Sequence, residues 1–209
     1  FSFMDANGWS GLSELTQALC VVSGICPDGE AARVCESLTS GDLVPATLAY
    51  TAFKYDALLS RAEGYGNWVR RDVETQWGRM LFAGATSFWE DYNVAWTNNA
   101  TRLDALPAAG KKDIHGDFGE FCYPGYRHSL CHGWSAGPAA WCINRVLGLE
   151  ALDAGCRTVR VKPFLGDLAW AEGALATPRG PVRVRHERRA DGTVETKVEA
   201  PRGVAIVRE

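Results

Sequence analysis

Between Gly84 and Glu90 the chain reads Gly-Ala-Thr-Ser-Phe-Trp-Glu, which sets small, aromatic and acidic residues side by side. That mixture suits carbohydrate chemistry. An indole offers an apolar platform to the C–H face of a sugar ring, and the same wall desolvates a neighbouring carboxylate, favouring its protonated form. Glu90 is therefore a candidate acid or base, with Trp89 as its aromatic neighbour. The plainer alternative, a core aromatic beside a solvated acid, is the commoner outcome for so short a stretch. Hydrolysis of a glycosidic bond needs a second carboxyl group, about 5 Å away for retention or about 6.5–9.5 Å for inversion. Asp91, Asp104, Asp113, Asp117 and Glu120 follow in a loop, and nothing in the sequence separates them from ordinary solvated acids.

Other chemistries find less support. No glycine-rich segment ends in Lys-Ser or Lys-Thr after a strand, so a phosphate cradle is not expected. His115, His128, His132 and His186 are scattered, with neither an H-E-x-x-H nor an H-x-H arrangement, and no metal or other cofactor is expected. Cys131 precedes His132, but sequence neighbours rarely face one another, and a structural thiol is the better reading.

Positioning such a site requires a core. The 209 residues, 46% hydrophobic and 22% charged with a formal net charge of −3, have an ordinary globular composition, and nothing basic enough points to nucleic acid. No apolar run approaches the ~18–20 residues that span a bilayer. Seven cysteines, an odd number without a C-x-x-C pair, read as reduced thiols and favour a reducing, cytoplasmic compartment. Eight tryptophans fit sugar-stacking walls and a Trp-rich helical core equally well. The chain opens at Phe1, without Met and in mid-pattern, so the N-terminus is expected upstream.

Apolar spacings of three and four predict helices over 10–25, 30–38, 46–62 and 68–82, separated by Gly- and Pro-bearing turns in the manner of helical hairpins. A loop follows through Tyr126, and Ala139–Leu149 reads as a further helix. From Cys156 the period changes to two. Five short strands are expected, at 158–161, 168–171, 182–185, 194–198 and 204–207, with a hairpin turn at Asp191-Gly192. Helices first and strands last put a domain seam near 152–156.

Read together, four segments resemble the C-terminal part of bacterial α-L-rhamnosidases of glycoside hydrolase family 78. They are Gly84–Glu90; Ser129–Pro138, reading Ser-Leu-Cys-His-Gly-Trp-Ser-Ala-Gly-Pro; Val159–Pro163 with Leu168–Ala171; and Thr177–Gly180. The likeness covers nearly the whole chain, and the order and spacing are more specific than any single piece. It implies a mainly α fold, a partial (α/α)6 barrel of helical hairpins in residues 1–152, followed by a small antiparallel β-sandwich domain in 156–209. It also implies inverting removal of terminal α-L-rhamnose from a rhamnoside or rhamnose-containing oligosaccharide. The glutamate closing the family's Thr-x-Trp-Glu motif is the general base, which carries over to Glu90, with the expected Thr displaced by one residue to Thr86. The histidine of His-Gly-Trp-Ser contacts the sugar, which carries over to His132, while Trp89 and Trp134 shape the pocket. The family's general acid lies in an earlier acidic segment of the barrel, so this chain is expected to be incomplete by itself. Half a helical ring should expose an apolar face and associate through it. The alternatives are a non-catalytic carbohydrate-binding or structural fragment, and an (α/α)6 hydrolase of another sugar.

Overall fold

The computed structural model describes residues 11–61, 64–92, 101–106, 108–110 and 129–209. Asp113, Asp117, Glu120, His115, His128 and Cys122 lie outside them. By packing, the chain divides into two compact units, Phe1–Gly137 and Pro138–Glu209.

The first unit is helical. Helix α1 (Glu14–Val22) starts later than periodicity suggests, because the Ser13 hydroxyl accepts the Leu15 N–H at 3.1 Å and caps it there. Helix α2 (Asp28–Ser40) follows Pro27, with Asp28 and Glu30 in its first turn against the positive end of the helix dipole. A 3₁₀ turn at Leu48–Tyr50 precedes α3 (Thr51–Arg61), and α4 runs from Gly66 to Phe82. Helix α1 packs on both α2 and α3. Ala18, Val21, Val34, Leu38 and Leu58 are buried between them, the larger ones contributing about 1.5–3 kcal/mol each.

This core also holds charge. Lys54 Nζ lies 2.6 Å from Glu14 Oε1 and 4.8 Å from the centroid of the Trp68 ring. The second carboxylate oxygen of Glu14 accepts the Ala46 N–H at 2.9 Å. Both residues are only 7% exposed, so α1 and α3 are joined by a desolvated ion pair. On the outside, Ile25, Leu81 and Phe82 are exposed.

In the second unit, α5 (Gly137–Trp141) passes into a π-helical turn at Cys142–Val146 and stops. A helix through Leu149 is thus corrected: Leu149–Ala151 forms strand β1. The cause is Gly148. Its φ is +63°, and a Cβ there would sit 2.0 Å from the Lys162 carbonyl oxygen, a close approach that only glycine permits.

Strands β2 (Thr158–Val161), β3 (Trp170–Leu175), β4 (Val182–Arg188), β5 (Val194–Glu199) and β6 (Ala205–Arg208) follow. They form two three-stranded sheets, β1-β2-β6 and β3-β4-β5. The second is antiparallel throughout, with the Asp191-Gly192 turn closing the β4–β5 hairpin through Arg189 N–H to Thr193 O at 2.8 Å. The first is mixed. Strand β6 pairs in parallel with β2, because the chain reaches it by a crossover through the other sheet and not by a hairpin, so the wholly antiparallel expectation is corrected there. Leu147, Leu149, Val159, Val161, Val182 and Val184 make the core of this unit.

His186 is fully buried on β4, with Nε2 3.1 Å from the Leu147 carbonyl oxygen and Nδ1 2.9 Å from Thr196 Oγ1. A carbonyl only accepts, so the ring proton sits on Nε2 and Nδ1 accepts from the threonine. Burial pushes the imidazole below its ordinary pKa, and the Leu147 bond opposes that only in part. The unfolded chain therefore takes up this proton first. Stability from neutral His186 is fully present above about pH 6.5 and is lost as pH falls toward the folded-state value. A thermal melt of the β unit should shift down between about pH 7 and about pH 5, and His186→Asn should remove much of that slope. An unchanged slope in the variant would assign the acid sensitivity to other groups.

Candidate active site

Helix α4 ends where the candidate segment begins. Gly84 turns the chain at φ +93°, and Leu103 N–H donates to Ala83 O at 3.0 Å across the turn. A Cβ on Gly84 would stand 3.0 Å from that Leu103 nitrogen, so the turn is closed tightly. The chain then bends at Thr86 and Ser87. Trp89 turns inward, 1% exposed and edge-on to Tyr92 at 5.6 Å, while Phe88 and Glu90 remain half-buried.

This segment lies alongside the residues from Ser129 to His132. The Glu90 N–H donates to Ser129 O at 2.8 Å, and the Ser129 N–H returns a bond to Glu90 Oε2 at 2.8 Å. Further along, the His132 N–H donates to Phe88 O at 2.7 Å and the Ser87 hydroxyl to Leu130 O at 2.6 Å. The two motifs, some forty residues apart in the chain, are thereby stitched edge to edge, and Glu90 has one carboxylate oxygen fixed by a backbone donor.

His132 caps a 3₁₀ turn at Gly133–Ser135. Its Nδ1 accepts the Trp134 N–H at 3.2 Å, and its ring meets the Trp134 ring edge-on at 4.5 Å. With Nδ1 occupied as acceptor, the neutral ring carries its proton on Nε2, leaving that N–H as the donor. Trp134 is 56% exposed. Of the two tryptophans, Trp134 can present a face to a ligand. Trp89 cannot: it is buried in the core, edge-on to Tyr92.

The loop acids separate once they are placed. Asp104 is exposed and receives two 3.0 Å bonds from the Arg102 guanidinium, which hold its carboxyl below the usual carboxylate range. It is a surface ion pair. Asp91 differs: burial raises its pKa, the Tyr92 N–H bond to its Oδ1 at 2.9 Å opposes this, and the charge of Glu90 adds to the rise. Sequence reading ranked these two acids alike, because burial is a tertiary property. Cys131 is an exposed free thiol, and His132 Nδ1 is already engaged by Trp134, so these neighbours do not form a nucleophile–base pair through that nitrogen. Among the described residues there is no cluster of His, Cys, Asp and Glu that could hold a metal ion, and no helix long and apolar enough to cross a membrane.

Residues 148–207 match the family described as the bacterial alpha-L-rhamnosidase C-terminal domain. The chain has no match among curated proteins. Among solved structures, it is similar to the GH78 family rhamnosidase of Bacillus sp. GL1, with 26% identity and a TM-score of 0.74 over 96% of this chain and 19% of that one. The Streptomyces avermitilis alpha-L-rhamnosidase complexed with L-rhamnose shares the fold at 18% identity and a TM-score of 0.65, over 92% of this chain and 17% of that one. The alpha-L-rhamnosidase from Aspergillus terreus does so at 17% identity and a TM-score of 0.63, over 99% and 23% respectively. The chain therefore spans about a fifth of the length of these solved relatives.

Proposed function

For a chain that resembles glycoside hydrolase family 78 α-L-rhamnosidases over most of its length, we propose that it is the C-terminal portion of an inverting α-L-rhamnosidase with Glu90 as general base. Residues 1–152 then belong to an (α/α)6 catalytic barrel and 156–209 to the β domain that follows it. The observation that carries this reading is the reciprocal bond pair between Glu90 and Ser129.

A general base must keep one oxygen in place and offer another. Glu90 Oε2 is held by the Ser129 N–H, which leaves Oε1 to accept a proton from water. Inversion then proceeds in one displacement. Water attacks the anomeric carbon from the face opposite the leaving group, its proton passes to Glu90, and an acid from elsewhere in the barrel protonates the departing oxygen. His132 Nε2–H donates to a ring hydroxyl oxygen, and the exposed Trp134 covers an apolar edge of the rhamnose. Trp89 contributes only by packing. Rhamnosides are the substrate class, because the Streptomyces avermitilis relative is complexed with L-rhamnose.

The general acid comes from sequence upstream of this chain. Expressed alone, the chain should show no turnover of an aryl α-L-rhamnoside, and it should self-associate through exposed apolar side chains such as Leu81 and Phe82 at the end of α4. Joined to its upstream sequence, it should gain activity and elute from a sizing column without that self-association. Equal activity of both proteins would place the acid within these 209 residues.

A further inference from the structure

Ser135 has no exposed surface, so it cannot touch a substrate, yet it holds one of the tightest side-chain bonds near the site. Its hydroxyl donates to the carbonyl oxygen of Trp89 at 2.5 Å. That carbonyl belongs to the peptide unit whose N–H is the Glu90 donor to Ser129. On its other side, the backbone carbonyl of Ser135 accepts the indole N–H of Trp77 at 2.8 Å. Trp77 lies in α4, is 6% exposed and leans on Tyr55 with ring centroids 6.5 Å apart. A continuous line of hydrogen bonds therefore runs from α4 through Ser135 to the peptide that carries Glu90.

We propose that Ser135 is a positioning residue for Glu90, anchoring the Trp89–Glu90 peptide to α4 so that the carboxylate stays in reach of the Ser129 N–H. This rests on the reading of Glu90 as the base. The physical reason is the length of the lever. The 84–90 segment leaves α4 through a glycine turn and belongs to no helix or strand, so its path is set by side-chain and cross-segment bonds. Four of those bonds tie it to 129–132, but that partner is itself irregular backbone. Where the segment leaves α4, the Gly84 and Ala85 N–H groups bond back to the Leu81 and Met80 carbonyls, whereas at its far end, next to Glu90, the Ser135 hydroxyl and the Trp77 indole make the link to that helix. Removing the hydroxyl leaves a buried carbonyl without its donor and frees the peptide to rotate. A displacement of a few tenths of an ångström is enough to weaken the charge-assisted bond to Glu90 Oε2.

The test uses the full-length protein. In Ser135→Ala, kcat on an aryl α-L-rhamnoside should fall by about tenfold or more with KM nearly unchanged, since the loss affects a group that acts in the transition state. Trp77→Phe, which removes only the indole donor, should lower kcat in the same way with KM again nearly unchanged, and serves where Ser135→Ala folds poorly. Introduced into Glu90→Gln, Ser135→Ala should lower the residual rate no further, because both changes act through one group. A variant with wild-type kcat while Glu90→Gln is inactive overturns the positioning role alone. An additive loss in the double variant overturns it too, by showing that Ser135 acts through something other than Glu90. If Glu90→Gln is itself fully active, the base assignment fails, and the positioning role fails with it.

Discussion

In Glu90→Gln, kcat should drop by about 10²–10⁴-fold while KM stays close to that of the unaltered protein, the usual range for loss of a positioned base. The geometry makes this substitution unusually clean. The amide oxygen of glutamine can take over the Ser129 N–H bond now made by Oε2, so the side chain keeps its place and nearly its volume. What changes is the other atom. An NH₂ group faces the water where a carboxylate oxygen stood, and it donates where an acceptor is required. On the proposed reading, binding through His132 and Trp134 does not involve that atom, so the loss should fall on kcat. Azide needs no deprotonation to attack, and it should restore turnover in the variant by forming a rhamnosyl azide of inverted configuration. Steady-state kinetics of the full-length protein with an aryl α-L-rhamnoside provide the measurement. Wild-type turnover in Glu90→Gln assigns the proton acceptor to another carboxylate, and Asp91, whose burial sets it apart from the exposed Asp104, is the next to change.

The largest effect on stability is expected inside the helical unit. Lys54→Met should cost about 3–5 kcal/mol, because it leaves the Glu14 carboxylate buried with no cation beside it. The loss has little to do with packing. Methionine fills much the same space and keeps contact with the Trp68 ring through its thioether. The double change Glu14→Gln with Lys54→Met should recover most of the loss, since the glutamine carbonyl still accepts the Ala46 N–H and no net charge remains buried. Urea unfolding of the three variants measures this. A single-variant cost under about 1 kcal/mol would mean that water reaches the pair and screens it as it screens exposed ion pairs.

The consequence reaches the site. Glu14 and Lys54 fix α1 to α3, and the 3₁₀ turn that precedes α3, at 48–50, lies against the one that carries Ser135. The β unit is held separately by its own valine-rich core, so its acid response through His186 should be seen without loss of the helical unit.

Periodicity alone placed α2 and α4 and most of the strands, because each repeats its apolar residues at the spacing of the face it buries. Asp191-Gly192 as a turn was equally local, since its chemistry acts within a few residues. The motif order was legible too, and it pointed to the family that the solved structures resemble. Sequence could not show that Trp89 faces the core and Trp134 the solvent, because both flank a candidate site residue and only the backbone path separates them. Nor could it distinguish Asp91 from Asp104, whose ionisation depends on burial in one and on Arg102 in the other. The stop at Gly148 needed the Lys162 carbonyl, and the parallel pairing of β6 needed the crossover. Residue type and spacing decided which groups this protein could use. Tertiary structure decided which of them meet and which face water, because hydrogen bonds such as those of Ser129 and Ser135 join residues that are tens of positions apart.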